Sequence, residues 1–358
     1  MKKVFKIIGI CLISIIIIAL AYVSYVFISY YRIEDNLELD IENNQTTNFD
    51  MSKTYTISTY NIGFGAYEQN YSFFMDEGEM LDGTKTRGKH ARGLSKDNVI
   101  NNVNGAINTI IDLNTDFAFF QEVDLKSSRS YKVNQADMIK DKFESYASTF
   151  AINYDSPYLM YPFNEPIGKS KSGILTLSKY KIEDSLRISF PLTGNTMSDL
   201  FDLDRCMMID RIKVSEDKEL VLINLHMSAY DEGGKVRQKQ MEVLNKVLEK
   251  EMNNYVIVGG DFNQRLCETN FPTTQKVGPW CQDFYTELLN SNYHIACASN
   301  TSTCRCADLE YEKGVNYELV IDGFLIGPNV ELVSITNIDT DYKYSDHNPV
   351  KMEFRLLP

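Results

Sequence analysis

The chain is short of positive charge. Its 358 residues carry 36 Lys and Arg against 49 Asp and Glu, and four of the basic residues, Lys2, Lys3, Lys6 and Arg32, precede Glu34. The chain from Ile33 onward holds 32 basic and 49 acidic residues, a net of −17, which excludes the global positive field of a tight duplex-DNA binder. A nuclease is still allowed, because a divalent ion can supply positive charge locally. Internal repeats and low-complexity tracts are missing too, which speaks against a repeat array. With 44% hydrophobic and 24% charged residues the composition is globular.

Charge is absent altogether from Ile7 to Tyr30, an apolar run of 24 residues with Lys2, Lys3 and Lys6 before it and Arg32 after it. A helix needs about 20 residues to cross the hydrocarbon core, so this run reads as a single membrane span. Lysines on its N-terminal flank place that end in the cytoplasm and the rest of the chain outside. Ala19-Leu20-Ala21 offers a signal-peptidase site and Cys11 a lipoprotein reading. An uncleaved anchor fits better, because the apolar run continues through Tyr22 to Tyr30 and no small residue precedes Cys11. Residues 33–52 are polar and lack any apolar period a core could use, which makes them a spacer. The expected division is an anchor over 1–32, a spacer over 33–52 and one catalytic domain over 53–358.

Six cysteines lie beyond the span: Cys206, Cys267, Cys281, Cys297, Cys304 and Cys306. An even number in an exported domain permits disulfides, in a pairing that sequence leaves open. A zinc site of His294, Cys297, Cys304 and Cys306 is the weaker reading, since that spacing fits no common structural-zinc pattern.

From Lys53 onward the chain alternates between strand-like and helical patterns. Tyr55 to Tyr60, Asp116 to Phe120, Gly173 to Leu177, Met207 to Val214, Glu219 to Leu225, Tyr255 to Val258, Glu318 to Ile326 and Val350 to Phe354 read as strands. Asp97 to Leu113 and Lys235 to Met252 space their apolar residues at three and four, one helical face each. Two such helices on many strands predict a layered α/β or α+β domain rather than an all-β sandwich.

Polar residues recur at the ends of these strands: Asn61, Glu122, His226, Asp261 and Asn263, Asp322, then Asp346 and His347. Each alone has a plain structural explanation as a turn, a tight loop or a satisfied histidine. Together they place carboxylates, amides and imidazoles where a rigid scaffold best holds a site.

Thr59-Tyr60-Asn61, Gln121-Glu122, Asn224-Leu225-His226, Gly260-Asp261-Phe262-Asn263, Ile321-Asp322 and Ser345-Asp346-His347 stand in the order and approximate spacing of a known superfamily. In these the chain resembles the endonuclease/exonuclease/phosphatase superfamily, with its deoxyribonucleases, abasic-site endonucleases, sphingomyelinases and inositol polyphosphate 5-phosphatases. The resemblance runs from about Thr54 to the C-terminus. It implies a four-layer sandwich, two packed β-sheets flanked by helices, here preceded by the membrane helix. It also implies a hydrolase acting on a phosphodiester or phosphomonoester, with Mg²⁺ or Mn²⁺ as cofactor.

The implied roles make chemical sense. Glu122 would ligate the metal, assisted by Asn61 and Asp346, because hard carboxylate and amide oxygens suit Mg²⁺. Asp261 would align and deprotonate water, Asn263, His226 and Asn61 would contact phosphate, and His226 and His347 would stabilise growing charge, with Asp322 orienting His347. Gly63 stands two beyond Asn61, where some nuclease branches carry a second acid, which puts a two-metal arrangement in question. Lys85, Arg87, Lys89, His90 and Arg92 form either an anion-binding loop or a solvated basic surface. Expected partners are a lipid headgroup, a small phosphoester or extracellular nucleic acid, and the membrane through the N-terminal helix, with no protein partner. The alternative from another class is a catalytically silent surface interaction protein that keeps the fold, which should show gaps in the constellation.

Overall fold

The computed structural model describes residues 2–44, 49–192, 203–229, 232–278 and 281–358. An apolar helix, α1 (Lys2–Ser29), precedes two seven-stranded mixed sheets. One sheet has the order β1 (Leu37–Glu38), β9 (Asp184–Ser189), β10 (Cys206–Lys213), β11 (Glu219–His226), β12 (Tyr255–Asp261), β16 (Asp322–Ile326), β13 (His294–Ala296). The other runs β17 (Val330–Asn337), β18 (Val350–Leu356), β3 (Tyr55–Asn61), β6 (Phe117–Asp124), β8 (Lys171–Ser178), β7 (Ala147–Asp155), β2 (Ile41–Glu42). Two small hairpins pair β4 (Glu77–Glu79) with β5 (Lys85–Arg87), and β14 (Cys304–Arg305) with β15 (Glu318–Leu319).

Side-chain alternation builds the layers. Phe117 and Phe119 of β6, Leu220 and Leu222 of β11, and Tyr255 and Ile257 of β12 meet in one core between the sheets. Their neighbours point outward. Ala118 and Phe120 pack with Val99, Val103, Ile107 and Ile110 of α2 (Lys96–Leu113), while Val221, Ile223, Val256 and Val258 pack with Met241, Leu244 and Leu248. Those last three belong to α4 (Lys235–Lys250); a shorter α3 spans Gln135–Lys140. Strands covered on both faces need apolar residues at successive positions, and each large side chain so buried contributes roughly 1.5–3 kcal/mol. The order helix, sheet, sheet, helix is the four-layer sandwich that the family resemblance implies, and the layered α+β domain that the sequence pattern predicts.

Helix α2 starts where Ser95 accepts from the backbone N–H of Asn98 at 3.0 Å, and ends at Asn114 in the left-handed region with φ +46°. The stretch 33–52 is not the free spacer that its polarity predicts. Leu37–Glu38 and Ile41–Glu42 add an edge strand to each sheet, and Phe49 and Met51 pack against the inter-sheet core. Backbone pairing at an edge needs no apolar period, which is why the sequence pattern hides it.

Candidate active site

Both sheets deliver polar residues to one end of the sandwich. In the first sheet His226 of β11 pairs with Asp261 of β12, which pairs with Asp322 of β16. Residues in register on neighbouring strands share a face, so the three form a row. Gly260 makes the parallel pair possible: with φ +140°, a Cβ there would lie 2.0 Å from the Leu225 carbonyl oxygen. From the second sheet come Asn61 at the end of β3 and the turn Ser345 to His347 before β18. Ser345 Oγ fastens the two by donating to the Asn61 carbonyl at 2.8 Å.

Asp261 is the hub. Its Oδ2 accepts from Asn61 Nδ2 at 2.9 Å and lies 3.2 Å from His226 Nε2 and 3.8 Å from His347 Nε2. Its Oδ1 accepts from the backbone N–H of Asn263 at 2.8 Å. Burial would raise the Asp261 pKa, but the two imidazoles and the Asn263 amide hold it well below the usual carboxylate range. Asp322 Oδ2 lies 2.8 Å from His347 Nδ1. Burial alone would depress the His347 pKa, and Asp322 reverses this and holds it well above the ordinary histidine value. For Asp322, burial outweighs the pull of His347 and lifts the carboxyl to about 6. His226 is pushed down by burial, and its Nδ1 has no hydrogen-bond partner among the described residues. The Nε2 proton therefore faces Asp261.

Glu122 sits at a β-bulge between Phe120 and Val123, with φ +55°. Its carboxylate is about a quarter exposed and lies 4.0 Å from His226 Nε2. Asp346 is raised to about 6, first by burial and further by the charge of Glu122. A buried carboxyl that feels the charge of a second carboxylate, beside an amide, forms an oxygen donor set that fits a divalent cation. Glu122, Asp346 and Asn61 are the residues that would hold it. Asp261, Asp322 and His347 also place ligand atoms within 4.8 Å of one another; Asp322 Oδ1 has no hydrogen-bond partner among the described residues, whereas both Asp261 oxygens and His347 Nδ1 are engaged by Asn61, Asn263 and Asp322.

One side-chain N–H of Asn263 is engaged, which leaves its second for a phosphate oxygen. Its Nδ2 donates to the Met227 carbonyl at 2.9 Å, and its backbone carbonyl accepts from Arg237 at 3.2 Å, so its amide buttresses the loop after β11. Gly63 has φ +52°, and a Cβ there would meet Tyr67 at 2.7 Å and Asp346 Oδ1 at 3.1 Å. An acidic side chain at that position would have to displace Tyr67 and crowd Asp346, in keeping with the glycine found where some nuclease branches carry a second acid. The basic stretch is already engaged. Lys85 pairs with Glu79, Arg87 with Glu77 at 3.3 Å, Lys89 with Glu310 at 3.2 Å and His90 with Glu165 at 4.0 Å, while Arg92 donates to the Pro166 carbonyl. That favours the surface-loop reading over an anion cradle.

Of the cysteines, Cys267 and Cys297 form a disulfide, which removes Cys297 from the zinc reading. Cys206, Cys281, Cys304 and Cys306 are free thiols, and Cys304 bridges to His347 through the backbone. Sequence reasoning missed Thr303, whose Oγ1 accepts from the N–H groups of Ile321 and Asp322 and so fixes the start of β16. It also missed Asn224 as a link between the sheets: its Oδ1 accepts from Gln121 Nε2 at 2.8 Å and its Nδ2 donates to the Leu175 carbonyl at 3.0 Å. No local pattern marks Thr303. An Asn inside the apolar run of β11 was a visible anomaly.

Comparison with solved structures places this arrangement among known folds. An endonuclease/exonuclease/phosphatase from Beutenbergia cavernae is similar over 85% of this chain and 72% of its own, at 13% identity and TM-score 0.58. Danio rerio TDP2 in complex with a single-strand DNA product matches over 85% and 99%, at 14% identity and TM-score 0.54. A Leptotrichia buccalis family protein matches over 84% and 100%, at 14% identity and TM-score 0.53. At such identities the likeness is one of fold. No curated protein matches the chain. The model of the endonuclease/exonuclease/phosphatase family matches residues 59–347, from the strand that ends in Asn61 to the histidine held by Asp322, and the chain belongs to that family.

Proposed function

We propose that the chain is a membrane-anchored hydrolase that cleaves a phosphodiester or phosphomonoester by attack of an activated water, with Mg²⁺ or Mn²⁺ as cofactor. The observation that carries this reading is the buried Asp261 carboxylate between two imidazoles, one of them oriented by a second carboxylate at 2.8 Å. A carboxylate so placed is a base positioned within reach of a water, and imidazole N–H groups are donors for a phosphoryl oxygen. A bound divalent cation supplies charge neutralisation and polarisation at the phosphoryl group. In this reading Glu122, Asp346 and Asn61 hold the cation, Asp261 accepts the proton of the attacking water, His347 binds a phosphoryl oxygen, and His226 shares its Nε2 proton between Asp261 and the phosphoryl group. Asp322 positions His347, and Asn263 positions Asp261 through its backbone N–H.

The helix α1 is long and apolar enough to cross a membrane, and the lysines before it favour an extracytoplasmic catalytic domain over 53–358 at the cell surface. The acidic domain favours a lipid headgroup or small phosphoester as substrate. A nucleic-acid phosphodiester is the other candidate, consistent with the DNA product bound by the Danio rerio protein of similar fold. The test is hydrolysis by the full chain in detergent micelles, with and without Mg²⁺ or Mn²⁺. Substrates are sphingomyelin, supercoiled plasmid, inositol phosphates and a generic phosphodiester. Metal-dependent turnover lost in Glu122→Gln is expected. Turnover that persists in that variant or in chelator would overturn the metal assignment, and a folded protein whose melting ignores metal would be the silent interaction protein instead.

A further inference from the structure

Between β7 and β8 lies an uncharged run, Pro157-Tyr-Leu-Met-Tyr-Pro-Phe163, flanked by Asp155 and Glu165. Four of its side chains face solvent: Tyr158 at 40%, Met160 at 41%, Tyr161 at 56% and Phe163 at 82%. A soluble domain rarely exposes four large apolar residues within six positions. Nothing in the hydrolytic site uses them.

The loop is tied to the membrane helix. Tyr22 Oη donates to the Tyr158 carbonyl at 3.1 Å and accepts from the Met160 N–H at 3.2 Å, and Tyr25 Oη accepts from the Tyr158 N–H at 3.0 Å. Just past the helix, Tyr31 donates to Asp155, and Arg32 pairs with Asp204 at 2.8 Å. Arg187 also donates to the Glu34 carbonyl at 3.1 Å. These contacts fix where the loop stands along the helix axis. At 1.5 Å per residue a hydrocarbon core of about 30 Å takes about 20 residues. Counted from the last flanking charge, Lys6, that span runs to Val26. Tyr25 lies in its final turn and Tyr22 just before it, near the interface where amphipathic aromatics gather.

We propose that the Tyr158–Phe163 loop is a second membrane contact, seated in the same bilayer leaflet interface from which α1 emerges. A loop bonded to the last turn of the span cannot stand clear of that interface. Its lack of charge suits the boundary between headgroups and acyl chains. The loop reaches the site through an aromatic cluster: Tyr161 packs on Phe74 at 5.7 Å, and Phe74 shares a cluster with Tyr67, which lies against Gly63 two residues beyond Asn61. The site is thereby held at the membrane surface instead of swinging on a tether. This inference stands whether or not the chain hydrolyses phosphoesters.

The test uses the full chain in neutral phosphatidylcholine vesicles. Trp280 is the only tryptophan, so Trp280→Phe with Phe163→Trp gives a single reporter at the loop tip, and Tyr161→Trp in the same background gives a second should the first fold poorly. The expected result is blue-shifted emission, quenched by lipids brominated near the headgroup and shielded from acrylamide, with no loss in high salt. Water-like emission open to acrylamide would overturn the proposal. So would blue-shifted emission that brominated lipids fail to quench, which would show the tip covered by protein, such as a second copy of the chain.

Discussion

Asp210 of β10 tests the electrostatics of the layer between the sheets. Its Oδ1 accepts from Thr149 Oγ1 at 2.9 Å and from Ser185 Oγ at 2.6 Å, and burial outweighs these bonds to raise its pKa from 3.8 to about 6. The folded protein therefore holds this proton between about pH 4 and 6 while the unfolded chain has lost it. Stability from this group falls as pH rises through that window and stays low above it. Two pKa units correspond to about 3 kcal/mol at 1.36 kcal/mol each. Asp210→Asn keeps an oxygen for both hydroxyls and removes the charge. The variant should gain on the wild type by about 3 kcal/mol between pH 4 and pH 7, which in a domain this large is about 5 °C in Tm. Thermal melts of both proteins in the same detergent, at those two pH values, measure the difference, and other titrating groups cancel. A variant whose advantage does not grow with pH would refute the reasoning.

Asp322→Asn should lower kcat by about 10²–10⁴, the range for disturbing a positioned acid–base group, with KM little changed; an unchanged kcat would remove Asp322 as the positioning group of His347. Gly63→Ala should cost about 1–2 kcal/mol for a Cβ in the left-handed region and reduce activity further by displacing Tyr67 and Asp346. Full stability and activity in that variant would show that the turn relaxes. Ser95→Ala should lose about 1 kcal/mol from the start of α2, read in urea melts, with turnover unaffected by a cap so placed.

Much of the site was readable because its residues end apolar strands that are buried on both faces. Phe117 to Phe120 and Val256 to Val258 have no polar position to spare, so the first polar residue after each stands out. Strands at a sheet edge, or covered there only by a two-residue strand, gave no such contrast. Most of the side chains of Val330–Asn337 are exposed, and Asp184–Ser189 carries polar residues at alternate positions, so neither builds a distinctive apolar run. The expected strand Glu318 to Ile326 is broken at Val320 and Ile321. The Ile321 and Asp322 N–H groups turn to Thr303 Oγ1, and the Val320 and Ile321 carbonyls accept from Leu266 and Phe262. Partners that lie 18 or more residues away, as Thr303 does from Ile321, leave no local periodicity. Nor could sequence show that Asn263 gives one side-chain N–H to Met227, since that bond depends on two strand ends meeting.

Glu122 shows what alternation conceals. Ala118 and Phe120 face α2, and regular alternation would turn residue 122 the same way, into an apolar layer. Val123 packs in that layer instead, because the bulge between Phe120 and Val123 inserts one residue and frees Glu122 to face the site. The cost falls on its backbone: φ +55° is strained by about 1–2 kcal/mol for a residue other than Gly, Asn or Asp. Neutralising Glu122 also relieves its repulsion with Asp346, so the backbone contribution needs a matched pair. Glu122→Gln removes the charge and keeps the strain, while Glu122→Asn removes the charge and tolerates the left-handed region. In metal-free buffer Glu122→Asn should therefore be the more stable of the two by up to about 1 kcal/mol, although both lose metal binding. Equal melting temperatures would mean that the bulge relaxes around any side chain, and that the carboxylate is placed by its contacts and not by a backbone held for it.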